Sequence, residues 1–241
     1  MTARSFCRAL SDLSSAQKSK RGVSLYSRFV NRPIGRVLAA FCYRLGMSPN
    51  QVTVASGLIT ALGIVTMLAG PPHPARGIAV ALLLVLGFAL DSADGQVARL
   101  TGRGSAAGEW LDHVVDAAKI VSIHAAILIV AFRFFPVGGA WLLVPLGFQL
   151  VAIVTFFGGE LERHLRPVSD VIVAPREPSA LRAVALLPAD YGVLAVSFSF
   201  LGWPWLFIVV YGLLFVSNLA IMLILLSKWF RALSVPPRKV A

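Results

Sequence analysis

Charge is scarce in this sequence, and negative charge is scarcer still. Only 14% of the 241 residues are charged, against about a quarter in soluble domains, and just 11 are acidic. Hydrophobic residues make up 57% of the chain and the mean hydropathy is +0.79. An ordinary soluble domain is excluded; the composition is that of an integral membrane protein. Cysteine is nearly missing too. Cys7 and Cys42 give neither a disulfide framework nor metal-ligand spacing, and read as thiols in a reducing cytosol or at its membrane edge. Residues 1–20 lack a continuous apolar core, so no signal peptide is expected. Short-period repeats and low-complexity tracts are absent.

What charge there is is mostly positive, with a net value of +11. Its placement argues against nucleic acid as a partner. Nine of the 22 Lys and Arg residues precede residue 50, as an arm leading into apolar segments, which suits an anionic membrane surface. In "SLYSRFVNRPIGRVLAAFCYRLGMSPNQVT" (24–53), apolar residues recur at helical spacing between arginines, predicting an amphipathic helix in the interface. Pro33 marks a helix start, and "SPNQ" marks a break before the first span.

Six apolar stretches follow, near 51–69, 77–98, 107–132, 138–158, 186–202 and 205–228, each close to the roughly 20 residues a bilayer needs. The expected fold is therefore all-α and integral to the membrane. Residues 1–50 form a basic arm with a juxtamembrane helix, 51–228 a six-helix catalytic domain, and 229–241 a basic tail. With the N-terminus inside, 19 of the 22 basic residues fall on inner segments. The positive-inside rule thus places both termini in the cytosol of a multi-pass, cell-membrane protein.

Five of the eleven acids crowd into "DSADGQVARLTGRGSAAGEWLDHVVD", residues 91–116. Asp91 and Asp94 precede the polar turn; Asp112 and Asp116 follow it. At a rise of about 1.5 Å per residue, an antiparallel hairpin matches Asp91 with Asp116 and Asp94 with Asp112 in depth. The i,i+3 and i,i+4 spacings keep each pair on one helical face. Four converging carboxylates in a low-dielectric region would repel one another strongly. Divalent cations resolve this, and aspartate oxygens suit two Mg²⁺ or Mn²⁺ ions. Gly95, Ala98 and Gly108 leave room for a bulky ligand at the backbone, while Arg99 supplies a cation for a phosphate. Taken alone, the glycines would read as helix packing and Arg99 as a topology anchor.

The stretch fits D-x2-D-G-x2-A-R-x8-G-x3-D-x3-D through Asp91, Asp94, Gly95, Ala98, Arg99, Gly108, Asp112 and Asp116. This resembles the signature of the CDP-alcohol phosphotransferases, with every fixed position present. The resemblance implies transfer of a phosphoalcohol group from a CDP-linked lipid such as CDP-diacylglycerol to an acceptor hydroxyl, with release of CMP. It implies Asp91, Asp94 and Asp112 as principal metal ligands, and Asp116 as both ligand and general base. Gly95, Ala98, Arg99 and Gly108 would line the CDP pocket, and the chain would form a homodimer. Glu109 reads as a second-layer contact or a solvated charge. His113 reads as a packing residue turned away from the Asp112/Asp116 face, and Lys119 as a charge-offsetting or snorkelling cation.

The segment "GVSLYSRFVNRPIGR" followed by "SPNQVT" resembles family members that transfer to inositol phosphates. A phosphorylated acceptor needs cations, and Arg163, Arg166 and Arg182 are candidates, although positive-inside bias accounts for them equally well. Glycerol 3-phosphate asks for the same cations and remains the competing acceptor; no feature excludes serine or free inositol. An ion or metal transporter is the alternative of another class. It would spread acids over several spans, whereas here four lie on one hairpin and the remaining spans hold only Asp190.

Overall fold

A computed structural model describes residues 6–15, 24–166 and 180–234, and these are helical with no strand among them. The helices are α1 (Phe6–Ser15), α2 (Arg32–Arg44), α3 (Pro49–Leu68), α4 (Pro74–Thr101), α5 (Ala106–Phe134), α6 (Leu143–Leu165), α7 (Ala180–Ala185), α8 (Tyr191–Ser197) and α9 (Pro204–Leu233). A π-helical turn, Ser27–Asn31, leads into α2. Five of them, α3, α4, α5, α9 and α6 with its leading turn from Gly139, are long and apolar enough to cross a membrane. Their outer faces carry large exposed apolar side chains, among them Leu58, Leu82, Phe132, Leu150, Leu213 and Ile224. That inverted surface suits lipid as solvent.

The predicted span 186–202 is not one helix. It comprises a 3₁₀ turn (Leu187–Ala189), α8 and a second 3₁₀ turn (Phe198–Phe200), and its apolar part, Tyr191–Phe200, is too short to span alone. The physical reason is local. Pro188 starts one turn, and Asp190 leaves the helical region and caps α8 by accepting from Gly192 N at 2.8 Å. The segment still runs alongside α4: the Phe88 ring meets Tyr191 at 4.9 Å, and a Cβ at Gly202 would overlap the Pro74 backbone.

Turn chemistry builds the helix ends. Ser48 and Gln51 form a reciprocal capping box at the start of α3, with Pro49 in its first turn. Gly102, at φ 65°, ends α4 in the left-handed region, where a side chain would be strained. Ser105 then caps α5 by accepting from Gly108 N at 3.1 Å. With so short a turn, α4 and α5 must run antiparallel. Helix α3 packs against both and backs the hairpin. Gly87 makes this close approach possible: a Cβ there would overlap Thr60 Oγ1, and its carbonyl accepts from Ser56 Oγ at 2.9 Å.

Helix α2 packs Ala39, Ala40 and Cys42 against Ala93 and Val97 of α4, and exposes Ile34, Val37 and Phe41 along another stripe that Val30 and Leu45 extend at either end. Burial pushes the Cys42 thiol up, so it is a poor nucleophile. Cys7 has its side chain outside the described residues. The turn before α2 is pinned across the fold. Asp190 accepts from Ser27 Oγ at 2.6 Å and from Ser24 Oγ, and the Tyr26 ring lies over Gly192. A Cβ at Gly192 would fall inside that ring, so Gly192→Ala is expected to displace the arm. Overpacking of this kind costs about 1–3 kcal/mol. Thermal unfolding in detergent should show a lowered midpoint, recovered in the Gly192→Ala/Tyr26→Ala double variant. A wild-type midpoint in Gly192→Ala would refute the packing account.

Candidate active site

The four motif aspartates meet across the α4–α5 hairpin in two pairs. Asp116 feels the charge of Asp91, and Asp94 that of Asp112, across the hairpin. This is the register that equal depth on two antiparallel helices demands. Asp94 is buried, with 6% exposure, and accepts from Thr53 Oγ1 of α3 at 2.6 Å. Lys119, one turn beyond Asp116, reaches back into the deep pair. Its Nζ lies 3.1 Å from Asp116 Oδ1, contacts Asp91, and donates to Ser56 Oγ at 2.8 Å. It is 9% exposed, so it offsets charge rather than snorkelling to the surface. Helix α3 thus contacts Asp94 directly through Thr53 and the deep pair only through Lys119, which no local pattern in residues 91–116 could reveal.

Beside the Asp94–Asp112 pair opens a polar cavity of about 540 Å³. Asp94, Gly95, Ala98, Arg99, Gly108 and Asp112 line it together. Two elements far apart in sequence add Asn50 and Arg163 to its walls. A Cβ at Gly108 would press to 2.9 Å from Asn50 Oδ1, whereas one at Gly95 would meet only the Arg99 guanidinium at 3.5 Å. A side chain at Gly108 would push the Asn50 amide aside; at Gly95 the open backbone faces the cavity. On the other side of the tetrad, a largely apolar cavity of about 280 Å³ is lined by Asp91, Asp116, Lys119, Asp190 and Asn218 among aromatic and aliphatic side chains.

The donor set fits divalent ions. Asp112 Oδ1 and His113 Nδ1 are both buried without a hydrogen-bond partner. One donor atom each from Asp112, His113 and Asp116 lies within 4.8 Å of the others. Buried polar atoms left without partners are costly, and a cation satisfies them. His113 is a correction to the sequence reading, which turned it away from Asp112 and Asp116. One position after Asp112 and three before Asp116, it borders their face closely enough for a long side chain to lean in.

Of the three arginines assigned to an acceptor phosphate, Arg163 lines the polar cavity and Arg166 does not. Arg163 belongs to the last turn of α6 and lines the polar cavity, where its Nη2 pairs with Glu109 at 2.9 Å and also with Glu160. Arg166, just past α6, pairs with Glu162. Arg182 lies in α7, with its side chain outside the described residues. Glu109 proves to be a wall of the cavity and a partner of Arg163. His124, which has no ligand-like spacing, bonds Tyr211 Oη at 2.6 Å inside the apolar core.

The family model for CDP-alcohol phosphatidyltransferases matches residues 46–235. The chain belongs to the CDP-alcohol phosphatidyltransferase family. Among curated relatives it is 35% identical over 101 residues to the archaetidylinositol phosphate synthase of Aeropyrum pernix, and 36% identical over 90 residues to that of Pyrococcus horikoshii. Those alignments cover 42% and 37% of this chain. The match spans about half the length of these relatives, 50% and 43% respectively. The fold is shared with Mycobacterium tuberculosis phosphatidylinositol phosphate synthase. Its structure with CDP-DAG bound aligns at a TM-score of 0.56 and 20% identity, covering 88% of this chain and 97% of that one. A second structure, in complex with manganese and citrate, aligns at 0.55 and 19%, covering 88% and 92%. As a family member, the chain carries the full motif on one hairpin.

Proposed function

We propose that this protein transfers a phosphatidyl-type group from a CDP-linked lipid to the hydroxyl of an inositol phosphate, releasing CMP. One observation carries the reading: the cavity joins Gly95, Ala98, Arg99 and Gly108 to Asp94 and Asp112 in a single wall. A nucleoside diphosphate needs an open backbone surface, a cation and a metal-binding carboxylate side by side. The relatives named as archaetidylinositol phosphate synthases favour an inositol phosphate as acceptor over glycerol 3-phosphate.

In this reading Asp91, Asp94, Asp112 and Asp116 hold two divalent ions, Mg²⁺ or Mn²⁺. When bound, such ions neutralise the diphosphate and stabilise the departing oxygen. Arg99 orients the phosphates beside the open Gly95 backbone. The acceptor oxygen forms the new bond to the β-phosphorus, the bond to CMP breaks, and Asp116 takes the acceptor proton. Lys119 keeps Asp116 aimed across the hairpin. The basic arm before α3 and the basic turn between α4 and α5 support a site on the cytosolic side of the cell membrane. The hydrocarbon tails of the donor then stay in the bilayer, and the family resemblance adds a homodimer.

The test is CMP release by purified protein supplied with CDP-diacylglycerol and, in turn, inositol 1-phosphate, glycerol 3-phosphate, free inositol and serine. Release only with inositol 1-phosphate is expected. Release with glycerol 3-phosphate instead would overturn the acceptor, and none with any acceptor would overturn the activity. Arg163→Ala separates recognition from chemistry. Losing a charge-assisted contact is expected to raise the acceptor KM roughly ten- to a hundredfold, with the donor KM little changed. A rise in donor KM alone would reassign Arg163 to the CDP wall.

A further inference from the structure

We infer that His113 is a nitrogen ligand of the ion held beside Asp112 and Asp116, and that this site therefore prefers Mn²⁺ to Mg²⁺. The inference rests on the reading of the aspartates as a metal site and adds a donor that the eight-position motif does not contain.

The surroundings of the imidazole favour ligation through Nδ1. His113 Nε2 lies 3.2 Å from Glu160 Oε2 and 2.9 Å from Arg163 Nη2. Three acceptors, Glu109, Glu160 and Nε2 itself, surround the two hydrogens of that guanidinium nitrogen. With both hydrogens on the carboxylates, Nε2 carries its own hydrogen toward Glu160, and the lone pair is left on Nδ1 for the ion. Nδ1 is buried, has no partner, and belongs to the side chain whose donor atom falls within 4.8 Å of Asp112 and Asp116 oxygens. A carboxylate on one ring nitrogen and a cation on the other is the usual arrangement of a ligating histidine. Packing supports it: the Phe156 ring stands edge-on to the imidazole at 6.0 Å and fixes its plane. Imidazole suits transition metals, while Mg²⁺ prefers oxygen and keeps its waters. One nitrogen among the carboxylates tilts the site toward Mn²⁺.

The experiment uses the full chain in detergent, loaded with Mn²⁺ and examined by electron spin-echo envelope modulation. Modulation from a directly bound ¹⁴N is expected in the wild type. It should vanish in His113→Phe, which keeps an aromatic ring against Phe156, and persist in His164→Gln. Glu160→Gln should retain the nitrogen signal but weaken Mn²⁺ binding by about ten- to a hundredfold. The excess of Mg²⁺ needed to displace Mn²⁺ should be larger for the wild type than for His113→Phe. Bound Mn²⁺ without nitrogen modulation in the wild type would overturn the inference and leave the carboxylate site standing, as would modulation that survives in His113→Phe. Failure of the wild type to bind Mn²⁺ at all would overturn both.

Discussion

Asp116→Asn is expected to keep much of its metal and donor binding while kcat falls by about 10²–10⁴-fold, the usual worth of general-base catalysis. The carboxamide preserves size and still offers one carbonyl oxygen, but it cannot accept the proton of the acceptor hydroxyl. The fold should tolerate the change, because Lys119 retains Asp91 and Ser56 as partners when the charge at 116 is lost. Single-turnover CMP release, with donor bound in advance, isolates this step. Near-normal turnover would remove the base assignment. Asp91→Asn should act differently: it breaks the stronger anchor of Lys119 and leaves a buried ammonium half-compensated, so stability as well as activity should fall.

The second large effect is metal removal. Excess chelator is expected to reduce CMP release to background, and Mn²⁺ or Mg²⁺ to restore it. Two observations set this expectation: four carboxylates crowd together and repel one another across the hairpin, and Asp112 Oδ1 and His113 Nδ1 lack partners. Ions that bind only the folded chain also stabilise it by about 2.7 kcal/mol at a hundredfold excess over Kd. The thermal midpoint should therefore drop on chelation in the wild type, and drop less in Asp94→Asn, whose site is already weakened. Full turnover in excess chelator would contradict the metal account.

The hairpin could be read from the sequence because helical rise is a constant. Counting residues from the Gly102 turn was enough to match Asp91 with Asp116 and Asp94 with Asp112. The break at "SPNQ" was legible for a similar reason: the Ser48–Gln51 capping box that makes it is a local bargain between neighbours in sequence. The break in 186–202 was not. Its apolar content looks like a span, and Asp190 looks like a lone buried acid. The partners that make Asp190 a tolerable residue there are Ser24 and Ser27, more than 160 positions away. Face counting also misplaced His113. A strict helical wheel treats side chains as spokes, whereas the imidazole is long enough to bring a ring nitrogen within 4.8 Å of Asp112 and Asp116 oxygens. The arginines could not be ranked for a third reason. Positive charge near the inner face serves topology and recognition alike, and only the structure puts Arg163 in the cavity wall, paired with Glu160, and pairs Arg166 with Glu162.

The most direct test of the account is calorimetric titration of a soluble CDP ligand into the purified chain under three conditions: loaded with Mn²⁺, stripped by chelator, and loaded but carrying Asp94→Asn. If the diphosphate is held in the 540 Å³ cavity through ions on the aspartates, binding should be strong only in the first and should fall by tenfold or more in the other two. Equal CDP affinity in all three would show that the carboxylates do not hold the donor, and the assignment of this hairpin as the active site would fail.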